Sequence, residues 1–330
     1  MRRARLPAAF AVLAAVVLLA AGCRGGGGDS EPFDLALDFY VNPDHVGIYE
    51  ALHEGLFAAA GLDVTPRVPS DPAAPIKQVA SGQVDLAVSY EPEVILARDR
   101  GLDVVAVAAL VDRPLTSVIS LPDSGIQGPA DLAGKIVVTA GIPYQAAYLR
   151  TILQKAGVDP GSVDEVDVGF NLLQPLLAGR ADAMLGGFLN VEGVELAERG
   201  EDPTVMPVDR LGIPSYDELV LVADADRVRE DPGPIEDFLA ALDEGTADAR
   251  EDPAGATDAL LTAAPDLDPD LTRAEVDKTL PLLDSEKGRP YGYMDPGEWE
   301  RFARFLAEQG QIGTAPPAAE MLDDALLPRR

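Results

Sequence analysis

Few residues in this 330-residue chain could carry out catalysis. It contains one cysteine, Cys23, and two histidines, His45 and His53. Neither histidine has a second ligand at the spacing that zinc sites use, and the sequence has no glycine-rich phosphate loop, no Gly-x-Ser-x-Gly motif and no Cys-x-x-Cys pair. We expect His53 to be an exposed structural residue and His45 to contact a ligand. The familiar catalytic and metal-binding motifs are therefore absent from the sequence, and we expect no catalytic residue, metal or cofactor.

Aromatic residues make up only 5% of the chain, so their placement is informative. Several stand at predicted strand ends or helix starts, where a flat ring can stack on a flat ligand while neighbouring polar side chains supply hydrogen bonds. The alternative for Phe39 and Phe188 is that they pack in the core. The predicted ligand-binding residues are Phe39, Asn42, His45, Tyr49, Ser89, Tyr90, Glu91, Gly141, Tyr144, Asn190, Glu192, Tyr216 and Asp217. By contrast, the helical spacing of Trp299, Phe302 and Phe305 predicts packing.

The elements that position these residues contain a short pattern that occurs twice. Residues 82–85, GQVD, precede the apolar run 86–88, and residues 179–182, GRAD, precede the run 183–185. In both copies an apolar helix ends at glycine, which adopts the left-handed conformation most cheaply, and the short apolar strand is typical of a parallel sheet covered on both faces. We interpret the pattern as one αβ unit used in two lobes, although a chance αβ junction is the alternative.

The length and the order of the patterns predict an α/β fold with two lobes, because roughly three hundred residues are more than one hydrophobic core usually serves. The chain crosses to the second lobe along residues 114–121 and returns near residue 220. We therefore assign residues 33–116 and 220–330 to lobe 1, and residues 117–219 to lobe 2. Ligands bind at the carboxyl ends of strands in open α/β sheets, so the strand ends of the two lobes should face each other across a cleft.

The N-terminus has the pattern of a secretory signal. Arginines within the first five residues precede an apolar run over residues 8–21, which is too short to span a membrane. Residues 19–23, LAAGC, resemble the bacterial lipobox, although the leucine stands one position farther from the cysteine than is usual. We predict a lipoprotein signal peptide over residues 1–22, lipidation of Cys23 and a flexible tether over residues 23–32. The alternative is a plain cleaved secretory signal.

The charge of the chain excludes some partners. It has 56 acidic and 26 basic residues and a formal net charge of −30. Such a surface repels nucleic-acid phosphates and does not dock tightly on anionic lipid headgroups. In a chain this acidic, we expect Asp44 and the neighbouring acids Asp217 and Glu218 to be solvated rather than acid/base pairs. We expect a monomer, held by its lipid anchor at the extracytoplasmic face of the cytoplasmic membrane.

Three segments carry a family resemblance: residues 37–57 (LDFYVNPDHVGIYEALHEGLF), 70–92 (SDPAAPIKQVASGQVDLAVSYEP) and 107–121 (VAALVDRPLTSVISL). They are similar to ABC-transporter substrate-binding proteins for the pyrimidine precursor of thiamine, a family related to pyrimidine synthases. The resemblance implies a two-lobed periplasmic-binding-protein-like fold of type II, in which each lobe is a mostly parallel sheet flanked by helices. It also implies uptake of a hydroxymethylpyrimidine or formylaminopyrimidine, delivered to an ABC permease and its ATPase.

The chain departs from this family in two ways. Asp38-Phe39 replaces the usual Asp-Trp pair, which keeps an aromatic ring but changes the stacking surface. The synthase branch has a lysine and a histidine in the segment matching 89–93 and a cysteine-rich run matching 213–217, and both are missing here, so the resemblance implies binding without catalysis. Other readings remain open: a riboflavin-binding component, a binder of sulfonate, taurine or nitrate, a synthase-like enzyme, or a sensory lobe for a receptor.

Overall fold

The computed structural model describes residues 30–284 and 288–328, so the predicted signal peptide and Cys23 lie outside the described residues. The strands are β1 (Glu31–Ala36), β2 (Leu62–Arg67), β3 (Leu86–Ser89), β4 (Val104–Val111), β5 (Thr116–Ser120), β6 (Ile136–Thr139), β7 (Asp164–Asp167), β8 (Ala183–Phe188), β9 (Thr204–Pro207) and β10 (Leu219–Asp224). The helices are α1 (Val46–His53), α2 (Leu56–Ala59), α3 (Pro75–Ala80), α4 (Glu91–Asp99), α5 (Gln145–Lys155), α6 (Leu173–Leu177), α7 (Glu192–Glu198), α8 (Ala225–Glu230), α9 (Gly233–Glu251), α10 (Pro253–Ala263), α11 (Pro269–Thr279) and α12 (Pro296–Glu308).

The strands form two five-stranded sheets with the same plan. Their orders are β2-β1-β3-β10-β4 and β7-β6-β8-β5-β9. In each sheet four strands run in one direction, and the antiparallel strand, β10 or β5, is the one by which the chain arrives from the other sheet. We call each sheet with its packed helices lobe 1 and lobe 2, respectively. The predicted α/β fold with mostly parallel sheets is confirmed.

The duplicated pattern has the same structure in both lobes. Gly82 and Gly179 have φ angles of 68° and 61°, the left-handed conformation in which glycine ends a helix without strain from a side chain. The aspartate three residues later then accepts a hydrogen bond from the neighbouring parallel strand. Asp85 Oδ2 accepts from the Asp34 amide at 2.7 Å, and Asp182 Oδ2 accepts from the Ile136 amide at 2.8 Å. The interpretation of one repeated unit is confirmed.

Helices α1 and α9 pack closely in lobe 1. A Cβ atom added to Gly245 would lie 2.6 Å from the Cβ of Ala51, so the close approach of the two backbones requires glycine there. Helix α10 also packs on α1, and α11 packs on α10. Helix α11 thereby reaches the short α7 of lobe 2. Trp299, Phe302 and Phe305 of α12 are buried, as their spacing predicts.

Some boundaries differ from the sequence prediction. Strand β1 begins at Glu31, two residues before the predicted start of lobe 1 at residue 33, because it pairs with β2 from Glu31↔Leu62 onward. The chain after β1 forms a 3-10 turn at Pro43–His45 before α1, and Gly55, with a φ angle of 72°, separates α1 from α2. None of the helices within residues 30–284 and 288–328 has the length and apolar character needed to cross a bilayer.

Candidate functional site

A cleft lies where the carboxyl ends of strands from the two lobes meet. The space between its walls, with the open solvent at its mouth included, is about 430 Å³. Lobe 1 contributes Asp38, Phe39, Asn42 and Tyr90. Lobe 2 contributes Thr116, Ala140, Ile142, Tyr144, Gln145, Leu172, Gly186, Phe188, Val191 and Glu192. No lysine or arginine is among the lining residues that the structure describes.

Asp38 is a buried carboxyl group on the lobe 1 wall of the cleft. Its Oδ2 atom accepts a hydrogen bond from the Tyr90 hydroxyl at 2.8 Å, and its Oδ1 lies 2.8 Å from His45 Nε2. The backbone amide of Asn42 donates to His45 Nδ1 at 3.4 Å. Nδ1 is therefore an acceptor, and Nε2 carries the proton that His45 donates to Asp38. Two buried donors therefore fix the orientation of the Asp38 carboxylate at the cleft surface.

Tyr90 stays protonated in this arrangement. Burial raises the pKa of its hydroxyl well above the ordinary value, and the neighbouring Asp38 carboxylate raises it further. The same two factors that keep the hydroxyl neutral also keep it a donor to Asp38.

Glu192 brings a second carboxylate into the cleft from lobe 2. Its Oε2 atom accepts a hydrogen bond from the Phe188 amide at 2.7 Å. Burial raises the pKa of Glu192 to about 7, against the opposing effect of that hydrogen bond. With one carboxyl group from each lobe and no cationic side chain among its described lining residues, the cleft suits a ligand that donates hydrogen bonds and disfavours an anion.

Gln145 of lobe 2 also lines the cleft, and its side-chain amide supplies a hydrogen-bond donor. Its Oε1 atom accepts from the Ala140 amide at 2.9 Å, which turns the amide nitrogen Nε2 toward Gly186. A Cβ atom at Gly186 would lie 2.5 Å from that nitrogen, and Gly186 has a φ angle of 119°. The glycine therefore makes the room in which the Gln145 amide reaches the cleft wall.

Aromatic rings from both lobes surround the cleft. Tyr90 of lobe 1 meets Tyr144 of lobe 2 edge-on, with ring centroids 6.0 Å apart. At the mouth, the Phe39 ring lies 4.7 Å from the Phe170 ring, and both touch Tyr40, which is 54% exposed. Phe39 and Phe188 are only partly buried and line the cleft. Phe188 also packs against the hydrophobic core, so the core alternative is wrong for Phe39 and holds in part for Phe188.

Five of the predicted site residues lie on the cleft wall: Phe39, Asn42, Tyr90, Tyr144 and Glu192. The other eight, which are His45, Tyr49, Ser89, Glu91, Gly141, Asn190, Tyr216 and Asp217, are not among its lining residues. His45 lies behind Asp38, and the Ser89 hydroxyl donates to Glu93 at 3.0 Å. Gly141 turns the chain with a φ angle of 73° beside Asp167. His45 therefore supports the wall, whereas Ser89 joins β3 to α4.

Asp217, Glu218 and Asp44 are buried, with exposed fractions of 5%, 0% and 3%, so the expectation that these acids are solvated is wrong. The Asp217 amide donates to Glu91 Oε2 at 2.7 Å, and Asp217 Oδ2 accepts from the Trp299 indole at 2.7 Å. Burial raises the pKa of Asp217 to about 7 and that of Glu91 well above its ordinary value. These groups belong to the junction between the lobes.

Glu218 joins the two chain crossovers. It stands just before β10, and its Oε2 atom accepts hydrogen bonds from the amides of Leu115 and Thr116, each at 2.7 Å. Oε1 accepts from the Thr116 hydroxyl at 2.8 Å, and the Tyr216 hydroxyl donates to Oε2 at 3.0 Å. Because Leu115 and Thr116 open the outgoing crossover and Glu218 closes the returning one, this carboxyl group ties the two crossovers together.

Three cleft residues had no clear sequence signal. Gln145, Thr116 and Leu172 are single polar or apolar residues within predicted elements, and only tertiary packing brings them to the cleft. Gly186 did carry a signal, since a Gly-Gly pair interrupts the second copy of the repeat where an apolar strand would otherwise continue. No group of three metal-ligating side chains was found within the residues described.

Comparison with known proteins gives concordant matches. The model of the family described as NMT1/THI5 like matches residues 42–256. The formylaminopyrimidine-binding protein of Halalkalibacterium halodurans is 36% identical over 90% of this chain and 92% of that protein. The 4-amino-5-hydroxymethyl-2-methylpyrimidine phosphate synthase of Legionella pneumophila is 28% identical over 76% of this chain and 79% of its own length. The alkanesulfonate-binding protein SsuA of Xanthomonas axonopodis pv. citri has the same fold, with a TM-score of 0.70 and 15% identity over 90% of this chain and 99% of that one.

Proposed function

Because this chain belongs to the NMT1/THI5-like family, we propose that it is the solute-binding protein of an ABC importer for a pyrimidine precursor of thiamine. The observation that supports this most strongly is the polar lining of the cleft. Asp38 and Glu192 present carboxyl groups, Gln145 presents an amide nitrogen, and no cationic side chain lies among the described lining residues. An aminopyrimidine has a complementary set, because its exocyclic amino group donates and its ring nitrogens accept.

The aromatic walls fit a flat ring. Tyr90 and Tyr144 meet across the two lobes, and Phe39 lies at the mouth, so a heterocycle can pack against aromatic faces while its edge contacts Asp38, Glu192 and Gln145. Selectivity then comes from the edge groups, because a buried acceptor that finds no donor on the ligand is costly. We propose a hydroxymethylpyrimidine or formylaminopyrimidine as the solute.

Transport follows from movement of the lobes about the hinge at Glu218. A ligand that contacts both lobes stabilises the closed form, and that form is presented to the permease. The similarity to a formylaminopyrimidine-binding protein supports an extracytoplasmic location. We further propose that Cys23 carries the lipid that keeps the protein at the membrane, since a surface of charge −30 gives no attraction to anionic headgroups.

The rival ligands are distinguished by charge and size. A sulfonate or nitrate would bring its negative charge between Asp38 and Glu192, which disfavours binding. Riboflavin presents a flat ring system, so it is best tested directly. A synthase-like enzyme that holds pyridoxal phosphate on a lysine does not fit this cleft, because the described lining residues include no lysine.

Calorimetric titration of the purified protein with a panel of solutes tests the proposal. We expect saturable binding of hydroxymethylpyrimidine and formylaminopyrimidine, and no heat with taurine or nitrate. Mass spectrometry of solute released from the native protein identifies what it carries. Absorbance after addition of pyridoxal phosphate would show a new band only if the protein formed an imine with it. Tight binding of riboflavin or a sulfonate without pyrimidine binding would contradict the proposal.

Tyr90 provides a prediction within this site. Tyr90→Ala removes a ring from the wall and a donor to Asp38, and we expect pyrimidine affinity to fall by about 1 to 2 kcal/mol. Tyr90→Phe keeps the ring and removes only the hydroxyl, so a smaller loss is expected. Calorimetry measures both, and thermal melting checks that the variants fold. Unchanged affinity in Tyr90→Ala would place the ligand away from this wall.

A further inference from the structure

Asn190 bridges the two lobes without lining the cleft. It follows β8 in lobe 2, and its Nδ2 atom donates to Asp44 Oδ1 and to Thr279 Oγ1, both at 2.8 Å. Asp44 lies in the 3-10 turn of lobe 1, and Thr279 ends α11, which packs on that lobe. The exposed fractions of Asn190, Asp44 and Thr279 are 0%, 3% and 0%. The three side chains therefore form a buried contact between lobes.

We propose that Asn190, Asp44 and Thr279 form a latch that holds the lobes closed and sets the ligand affinity without touching the ligand. The inference rests on the proposed function only in that lobe closure accompanies ligand binding. One side-chain amide makes both hydrogen bonds, so separation of the lobes breaks them together. A contact made only in the closed form raises the closed population, and the apparent affinity rises with that population.

The carboxyl group of Asp44 makes the latch sensitive to pH. Asp44 Oδ2 and Asn190 Oδ1 have no hydrogen-bond partner among the described residues. Burial raises the pKa of Asp44 from 3.8 to about 8; the Asn190 hydrogen bond opposes this, and the charges of Asp38, Glu192 and Glu218 add to it. Closure thus buries a neutral carboxylic acid, whereas water can reach and ionise it when the lobes part.

A second acid at the same interface acts in the same direction. Glu275 of α11 is buried, and its pKa is raised to about 8 by burial and then by Glu195, Glu192 and Asp44. Glu195 has Arg199 as an ion-pair partner, with 2.6 Å between Nη2 and Oε1. The other charged residues on α7, α10 and α11 that the structure describes are exposed: Glu198, Asp258, Asp270, Arg273, Asp277 and Lys278.

The direction of the pH effect follows from these groups. Below the ordinary pKa near 4, each acid is neutral in both the open and the closed form, so closure takes up no proton. Between about pH 4 and pH 8, closure takes up protons at these acids, so the closed form weakens as pH rises. Above the pKa of the closed form, each acid is ionised in both forms, and the stabilisation of the closed form by proton uptake is fully lost. Binding should therefore be tighter at about pH 6 than at about pH 9.

Isosteric variants of the full-length protein separate the latch from general stability. Asn190→Leu and Thr279→Val each remove hydrogen-bonding groups, and we expect the affinity for hydroxymethylpyrimidine at about pH 6 to fall by about tenfold. The matched control is Thr257→Val. Thr257 is equally buried, but its hydroxyl donates to Pro253 within α10. Asp44→Asn keeps an acceptor for Asn190 and cannot ionise, so it should reduce the decline in affinity between about pH 6 and pH 9.

Lobe closure itself gives a readout that does not require the correct ligand. We expect ligand-free protein to have a smaller radius of gyration at about pH 6 than at about pH 9, and a smaller one than Asn190→Leu, by X-ray scattering. The single tryptophan, Trp299, binds the hinge residue Asp217, so its emission should report the same change. If Asn190→Leu matches Thr257→Val in dimensions and emission, the latch is wrong. If the unsubstituted protein binds no pyrimidine, the proposed ligand is wrong and the scattering comparison still decides the latch.

Discussion

Replacing Glu218 by alanine is expected to lower the free energy of unfolding by about 3 kcal/mol. The carboxyl group accepts from the amides of Leu115 and Thr116 and from the hydroxyls of Thr116 and Tyr216. Alanine leaves two buried amide donors without an acceptor, and each unpaired donor costs about 1 to 3 kcal/mol. Relief from burying an acid offsets part of this loss. Because these bonds join the two crossovers, the variant should also loosen the hinge.

Glu218→Gln provides the matched comparison. Its amide oxygen can accept from both backbone amides, and its amide nitrogen can turn to the hydroxyl oxygens, so we expect a smaller loss of about 1 kcal/mol. Glu198→Ala, on the exposed end of α7, should change the unfolding free energy by less than about 0.5 kcal/mol. Denaturation in urea measures all three. A loss in Glu218→Ala no larger than in Glu198→Ala would mean that the hinge does not depend on this carboxyl group.

The sequence was most informative where one local rule acts alone. A glycine that ends a helix and an aspartate three residues later were sufficient to identify the repeated unit, because the helix stop and the strand that follows depend on neighbouring residues only. The structure adds what the spacing could not show. Asp85 and Asp182 each bind an amide of the adjacent strand, and such a contact requires the sheet to be assembled.

Side-chain direction at the strand ends was much harder to predict. Asn190 and Glu192 are two residues apart beyond β8, and both were predicted to contact ligand. In the structure Glu192 lines the cleft, whereas Asn190 turns toward Asp44 and Thr279 of the other lobe. The direction of each side chain depends on which surface of lobe 1 lies opposite it. The local sequence around β8 does not contain that information.

The buried acids show a second limit. With 56 acidic residues in the chain, composition favours solvation for any one of them, but Glu218 is surrounded by donors from segments about a hundred residues away. Gln145 was missed for a similar reason. Its polar group is unremarkable in the first turn of α5, and becomes a cleft donor only because Gly186 leaves space beside it.

Replacing Asp38 by leucine is expected to weaken pyrimidine binding by about a hundredfold, or about 3 kcal/mol. The substitution removes an acceptor from the cleft wall and leaves the Tyr90 hydroxyl and His45 Nε2 without their partner. Asp38→Asn retains the shape, but its amide nitrogen must face one of those two donors, so we expect a loss intermediate between leucine and aspartate. Both expected losses follow from the proposed role of Asp38, which accepts from Tyr90 and His45 and would accept from the ligand as a third donor.

Calorimetric titration with hydroxymethylpyrimidine measures this loss, and thermal melting separates it from unfolding. Asp63→Asn is the control, because Asp63 is an exposed residue of β2 in the same sheet, and its affinity should equal that of the unsubstituted protein. If folded Asp38→Leu binds the pyrimidine within about threefold of the unsubstituted protein, which is below 1 kcal/mol, the ligand does not use this carboxylate. Glu192 alone would then accept hydrogen bonds from the exocyclic amino group, and the ligand would contact chiefly lobe 2.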